Sequence, residues 1–163
     1  MTDGSAGSRP DLSGMPLIQS VRFLRDSDAS WCRQQVTRFA SDIGFSGRQL
    51  WEIAIAVSEL VSNAVKFAGG GTLRIRVVTE PRTGVEITVE DQGPGIQDIP
   101  SALLDGYSEG RMLGDEDLIS IPRRGLGAGL GAVQRMTDSL CIENVDGGGL
   151  RAVAVKWLPD SSH

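Results

Sequence analysis

Between Ser46 and Gly71 the apolar residues Leu50, Ile53, Val57, Leu60, Val61, Ala64 and Ala68 recur at the spacing that puts side chains on one face of an α-helix. Ser46 is its expected N-cap, and Gly69-Gly70-Gly71 its stop. An earlier stripe of Trp31, Cys32, Val36, Phe39, Ala40 and Ile43 predicts a helix capped at Ser27 or Asp28 and ended by Gly44. Elsewhere the period falls to that of a strand. Leu73, Ile75 and Val77 alternate with Arg74 and Arg76, and Val85, Ile87 and Val89 alternate with Glu86, Thr88 and Glu90. The Pro81-Arg82-Thr83-Gly84 turn between them completes a hairpin. Leu17 to Arg25 reads as a strand, Pro100 to Leu104 as a short helix, and Gly106 to Arg124 as a polar segment. A helix is expected from about Gly127 to Leu140, then strands Cys141 to Val145 and Arg151 to Trp157, joined through Gly147-Gly148-Gly149. There is no internal repeat. This α+β order predicts a two-layer α/β sandwich, with helices on one face of a mixed, largely antiparallel sheet.

Composition narrows the class. A chain of 163 residues with 40% hydrophobic content suits one domain with a real core. Residues 1–16 carry Gly4, Ser5, Gly7, Ser8, Pro10, Ser13, Gly14 and Pro16 with almost nothing to bury, the pattern of a disordered tail. The folded domain is expected over 17–158, with 159–163 as a C-terminal tail. No apolar stretch approaches the roughly 20 residues that span a bilayer, and no basic-then-apolar leader opens the chain. A cytoplasmic protein without membrane contact is expected. A net charge of −5 and the lack of a basic, aromatic-interleaved run argue against nucleic acid as a partner. Cys32 and Cys141 lack metal-ligand spacing and the sole histidine is His163, which sets aside zinc and histidine catalysis. The cysteines are assigned to core, and Trp31, Trp51 and Trp157 to core or interface.

The chemistry lies in two glycine-rich segments and one helix face. Asp91-Gln92-Gly93-Pro94-Gly95-Ile96 follows a strand, where an acid can accept a hydrogen bond from a purine amino group and glycines let the turn run close beneath the base. Gly125-Leu126-Gly127-Ala128-Gly129-Leu130 opens a helix, whose unpaired N–H groups and positive dipole end suit a polyphosphate. On the long helix Glu59, Asn63 and Lys66 share a narrow sector, expected roughly opposite the apolar face. Taken alone, that sector is an ordinary solvated face. Beside a nucleotide site, the amide oxygen can bind magnesium and the carboxylate can take a proton. A dinucleotide fingerprint at Gly127-x-Gly129-x-x-Ala132, with Asp146 as ribose ligand, lacks the preceding strand. A P-loop lacks its glycine-lysine-serine or glycine-lysine-threonine.

Together these segments resemble the GHKL superfamily, the fold shared by DNA gyrase, the heat-shock chaperone ATPase, histidine kinases and the mismatch-repair ATPase. Glu59-x-x-x-Asn63 resembles its N box, Asp91-x-Gly93-x-Gly95 its first glycine box, and Gly125-x-Gly127-x-Gly129 its second. The likeness covers about Leu50 to Trp157. It is nearest to the anti-sigma-factor serine kinases and stress-signalling switch kinases, through Glu90 to Ile96, Gly125 to Leu130 and the closing Lys156-Trp157. A histidine autokinase is set aside because no phosphoacceptor histidine helix is present, although Asn63-Ala-Val-Lys-Phe67 is similar to that branch.

The resemblance implies an ATP-dependent serine/threonine protein kinase that phosphorylates a small regulatory protein in bacterial stress or sigma-factor signalling, with a sigma factor or serine phosphatase as a further partner. Asp91 would hold the adenine amino group over a floor shaped by Gly93 and Gly95, and Asn63 would bind Mg2+. Glu59 would be the general base. Gly125, Gly127, Gly129 and Leu130 would offer the phosphate-binding segment, with Lys66 and Arg123 or Arg124 as charged contacts. Two features depart from the pattern. Leu150 stands where relatives usually carry threonine, removing a hydroxyl near the adenine. The 106–124 segment, with its acidic Gly114-Asp115-Glu116-Asp117 run, is long for a small serine kinase and is expected to be a lid or a solvated loop. The alternative function is a nucleotide-dependent binding protein with negligible phosphoryl transfer; the presence of Glu59 favours the enzyme.

Overall fold

The segments of alternating pattern build one antiparallel sheet, and the helical stripes cover one of its faces. The computed structural model describes residues 18–104, 107–108, 111–112 and 129–160. Strand β1 (Ile18–Phe23) leads into helices α1 (Asp26–Asp42) and α2 (Gly47–Ala68), followed by the hairpin of β2 (Gly71–Val78) and β3 (Gly84–Glu90). Helix α3 (Ile99–Ala102), the short pair β4 (Tyr107–Ser108) and β5 (Arg111–Met112), helix α4 (Gly129–Met136), and strands β6 (Ser139–Asn144) and β7 (Leu150–Trp157) complete it. The five-stranded sheet has the order β1-β2-β3-β7-β6, with every neighbouring pair antiparallel.

Side-chain alternation decides which face is buried. On the central strand Ile87 lies between Ile75 and Ala154, and Val89 between Leu73 and Ala152, all buried beneath the helices. α1 and α2 pack on each other, and α4 packs on α2. Val36, Phe39, Ile53, Val57 and Val61 supply the helical side of this core. Each large aliphatic side chain so buried contributes about 1.5–3 kcal/mol. The opposite sheet face is charged. Arg76 Nε meets Glu86 Oε1 at 2.6 Å, and Arg151 bridges Glu90 at 3.1 Å and Glu143 at 2.9 Å. Such exposed pairs are each worth at most about 1 kcal/mol.

Because β7 inserts beside β3, the residue that follows β3 comes next to the residue that opens β7. Asp91 and Leu150 are thereby neighbours, with the Asp91 N–H donating to the Leu150 carbonyl at 3.0 Å. This crossover joins the Asp91 loop to the β6–β7 hairpin.

Several expectations need correction. Helix α1 starts from Arg25 as N-cap, not Ser27 or Asp28. Asp28 serves from inside the first turn, accepting the Leu24 and Arg25 N–H groups at 2.9 Å each. Those bonds, Leu24 first, hold its carboxyl below the ordinary range. Ser46 does precede α2, but its side chain makes no capping bond. Helix α4 ends at Met136 rather than near Leu140, because Asp138 N–H already donates to the Val155 carbonyl and Ser139 has joined the sheet. Cys32 is buried in the core, but Cys141 is exposed: register puts it on the outer face of edge strand β6, while its neighbours Leu140 and Ile142 pack against the core. Trp31 and Trp51 are 47% and 59% exposed, so neither is core. The expected tail over residues 1–16 lies outside the described residues, as does most of the 106–124 segment. At the other end Asp160 pairs with Arg82 at 3.0 Å, which ties the start of the expected C-terminal tail to the β2–β3 turn.

Candidate nucleotide site

The loop expected to hold the base is itself held at three points. Asp91 Oδ1 accepts the Gly93 N–H at 2.9 Å and the Leu150 N–H at 3.2 Å. Both bonds fix the carboxylate, and no donor among the described residues reaches Oδ2. A carboxylate oxygen set in this way can accept a hydrogen bond from an exocyclic amine. Gly93 lies over the end of α2: a Cβ there would come within 2.7 Å of Ala68 Cβ. Gly95 has φ +75°, and a Cβ would strike Asn144 Oδ1, so a side chain is excluded by backbone and by space. The third point is Asn144 itself. Its amide accepts the Ile96 N–H and donates to the Ile96 carbonyl, both at 2.8 Å, tying the loop to the end of β6.

Helix α2 carries the next group. Glu59 is 3% exposed, Asn63 half-buried and Lys66 exposed. This corrects the expectation of a sector turned away from the apolar face. α4 packs on α2 in addition to α1 and the sheet, so the helix is enclosed on more sides than a single stripe implies, and Glu59 is covered. Lys66 Nζ stands 5.0 Å over the Phe67 ring, at the solvent end of the row. Helix α4 opens at Gly129, and Leu130 is 7% exposed. The Leu130 side chain therefore belongs to the core, leaving its backbone as the group that can serve a ligand. Arg123, Arg124, Gly125 and Gly127 lie outside the described residues.

The structure thus gathers Asp91, Gly93 and Gly95 at the C-terminal end of α2, and packs the helix that Gly129 opens on the helix bearing Glu59 and Asn63. Leu150 contributes a backbone N–H to Asp91 although it lacks the hydroxyl. Asn144 was not expected from sequence. Its signal was faint: a polar residue at the end of a strand, just before the glycine turn. For magnesium, no cluster of three acidic, histidine or cysteine side chains occurs among the described residues. One amide oxygen from Asn63 still fits an ion that takes few protein ligands and completes its shell with phosphate and water.

A family model described as the histidine kinase-like ATPase domain matches residues 25–157. The chain belongs to this family. The serine/threonine-protein kinase RsbT of Bacillus subtilis (strain 168) is 35% identical to it over 139 residues, covering 85% of this chain and 95% of RsbT. An anti-sigma F factor of Clostridium acetobutylicum is 28% identical over 142 residues, covering 83% and 90%. Among solved structures, a chain in the SiaB–SiaC complex from Pseudomonas aeruginosa has the same fold, with a TM-score of 0.54 at 11% identity over 86% of this chain and 90% of that one. This member of the family is a GHKL protein serine/threonine kinase of the switch-kinase and anti-sigma type. As a histidine kinase-like ATPase it is a nucleotide-binding protein. Among the described residues, no helix is long and apolar enough to cross a membrane.

Proposed function

We propose that this kinase binds ATP with Mg2+ and transfers the γ-phosphoryl group to a serine or threonine hydroxyl of a small regulatory protein in the cytoplasm. The observation that carries the reading is a buried carboxylate, Glu59, on the helix against which the second glycine segment's helix packs. Asp91 accepts the adenine amino hydrogen bond through Oδ2 while Oδ1 stays tied to the loop. Gly129 and the Leu130 backbone are assigned to the phosphates, and the sequence adds Gly125 and Gly127 to that role. Lys66 and Arg123 or Arg124 lend positive charge. Asn63 would hold the magnesium ion, which when bound neutralises phosphate charge. Glu59 takes the proton from the partner's hydroxyl as that oxygen bonds to the γ-phosphorus and the bond to the ADP oxygen breaks. The small-protein substrate, with a sigma factor or serine phosphatase as further partner, is supported by the naming of RsbT as a protein kinase and of another relative as an anti-sigma F factor.

Glu59→Ala tests the assignment. It should bind ATP as the wild type does and lose at least about a hundredfold in transfer, because the base acts on the attacking hydroxyl and not on the nucleotide. Labelled ATP and small regulatory domains encoded beside the protein give the readout; transfer at the wild-type rate removes Glu59 from the mechanism. The anti-sigma F relatives favour one second reading, nucleotide-dependent capture of a partner with negligible transfer. That reading wins if the wild type holds a partner only with nucleotide and phosphorylates none.

A further inference from the structure

Lys156 occupies an unusual place for a lysine. It lies on the inward register of β7 with Ala152 and Ala154, and its side chain is 11% exposed. Its ammonium donates to Glu52 Oε2 at 2.6 Å and to the Met136 carbonyl at 2.9 Å. Glu52, 12% exposed, has its other oxygen held by Arg48 at 2.8 Å. One cation thus joins three elements: β7, α2 and the last residue of α4. It also meets the negative end of the α4 dipole. Burying such a pair sacrifices hydration, and apolar side chains of similar volume often hold a fold as well or better. What the ion pair supplies that apolar packing does not is a fixed point.

We propose that Lys156 and Glu52 are positioning residues that pin the axial register of α4 on α2, and so hold the phosphate-binding end of α4 level with Glu59, one turn short of Asn63. The inference rests on the site assignment given above. Direction follows from the sheet. Gly93 lies over Ala68, so α2 ends near Asp91 and Glu52 lies toward its opposite end. That is where α4 gives way to β6, with Asp138 N–H bonded to the Val155 carbonyl. Laid along α2 from Met136 at Glu52, the 8 residues of α4 reach about 12 Å. Glu59 lies about 10.5 Å along α2 from Glu52, and after about two turns it is on the same side. A short rigid helix pinned at one end carries any displacement of the pin to the other.

The double variant Glu52→Met/Lys156→Met tests this, since it removes both charges while keeping volume, and Arg48 is already exposed. The probes are adenosine, which needs the Asp91 loop, and the ATP analogue AMP-PNP with Mg2+, which also needs α4. Nuclear magnetic resonance titration should find adenosine affinity within about twofold of wild type and AMP-PNP affinity lower by about tenfold or more, as misplacement of a binding group predicts. Unchanged AMP-PNP affinity overturns the proposal. An equal loss for both probes also overturns it, because the pair then supports the fold at large. Should the double variant not fold, Lys156→Arg keeps the charge but presses a bulkier head on the Met136 carbonyl. It should show the same split, and wild-type affinity for both probes would overturn the register role. Asp91→Asn run alongside separates the two readings: if it keeps adenosine, the adenine assignment fails, whereas the pin is judged on AMP-PNP.

Discussion

Under the proposed function, Asp91 serves fold and ligand with different oxygens. Oδ1 takes the Gly93 and Leu150 N–H groups, and the proposal assigns Oδ2 to the base. Asp91→Asn separates the two duties, since an amide oxygen can keep both backbone donors while its NH2 would face the adenine amino group, donor against donor. Folding should survive. ATP affinity should fall by about 1.5–3 kcal/mol, the worth of a hydrogen bond to a charged group; calorimetry showing equal affinity would remove Asp91 as the base contact. At this scale the candidate residues that the sequence offered were those whose type the expected chemistry demands: an acid at a strand end, glycines beneath it, an acid and an amide on one helix face. Asn144 was not legible, because it meets Ile96 across 48 positions and only the β3-β7-β6 order brings them together. Lys156 could have been read, since its alternation places it with Ala152 and Ala154, yet a lysine on the buried face contradicts the usual preference.

Among the elements, strands and long helices followed their hydrophobic periods closely, and their ends did not. Caps depend on single hydrogen bonds, and α4 stops where the sheet claims Ser139, a competition that local pattern does not show. The β6–β7 hairpin has a role that no period announced: it clasps the Asp91 loop through the Leu150 backbone and Asn144. Asn144→Ala removes two hydrogen bonds and leaves the Ile96 groups to water, so ATP binding should weaken by about 1–3 kcal/mol with little change in overall unfolding. Unaltered affinity would mean that the loop holds its shape without the clasp. The joint of α2, α4 and β7 makes a prediction about acid. Lys156 foremost, then Arg48, hold the Glu52 carboxyl below its ordinary value of 4.5 against the opposing effect of burial. A depressed folded-state pKa gives stability that is present above 4.5 and is lost as pH falls through the lower folded value. Urea unfolding followed from neutral into acid should show this loss, and Glu52→Gln should make the acid limb shallower; identical slopes would sever the carboxylate from acid stability.

For the whole molecule, the proposed nucleotide site is a seam where separate parts of the fold meet. The end assigned to the base joins the loop after β3 to the β6–β7 hairpin and the end of α2, and the end assigned to the phosphates is the start of α4 packed on α2. A ligand lying in that seam binds the folded chain and finds no such surface in the unfolded one, so it stabilises the whole domain by linkage. At a hundredfold excess over its Kd the effect is about 2.7 kcal/mol. ATP with Mg2+ should therefore raise the melting temperature by several degrees, increasing with the logarithm of nucleotide concentration. GTP should raise it less, because its ring carries a carbonyl where adenine has an amino group and would set oxygen against Asp91 Oδ2. Asp91→Asn should melt near the wild-type temperature without ligand and shift little at the ATP concentration that shifts the wild type. A melting temperature unmoved by ATP in the wild type, or moved equally by ATP and GTP, would place any nucleotide somewhere other than against Asp91.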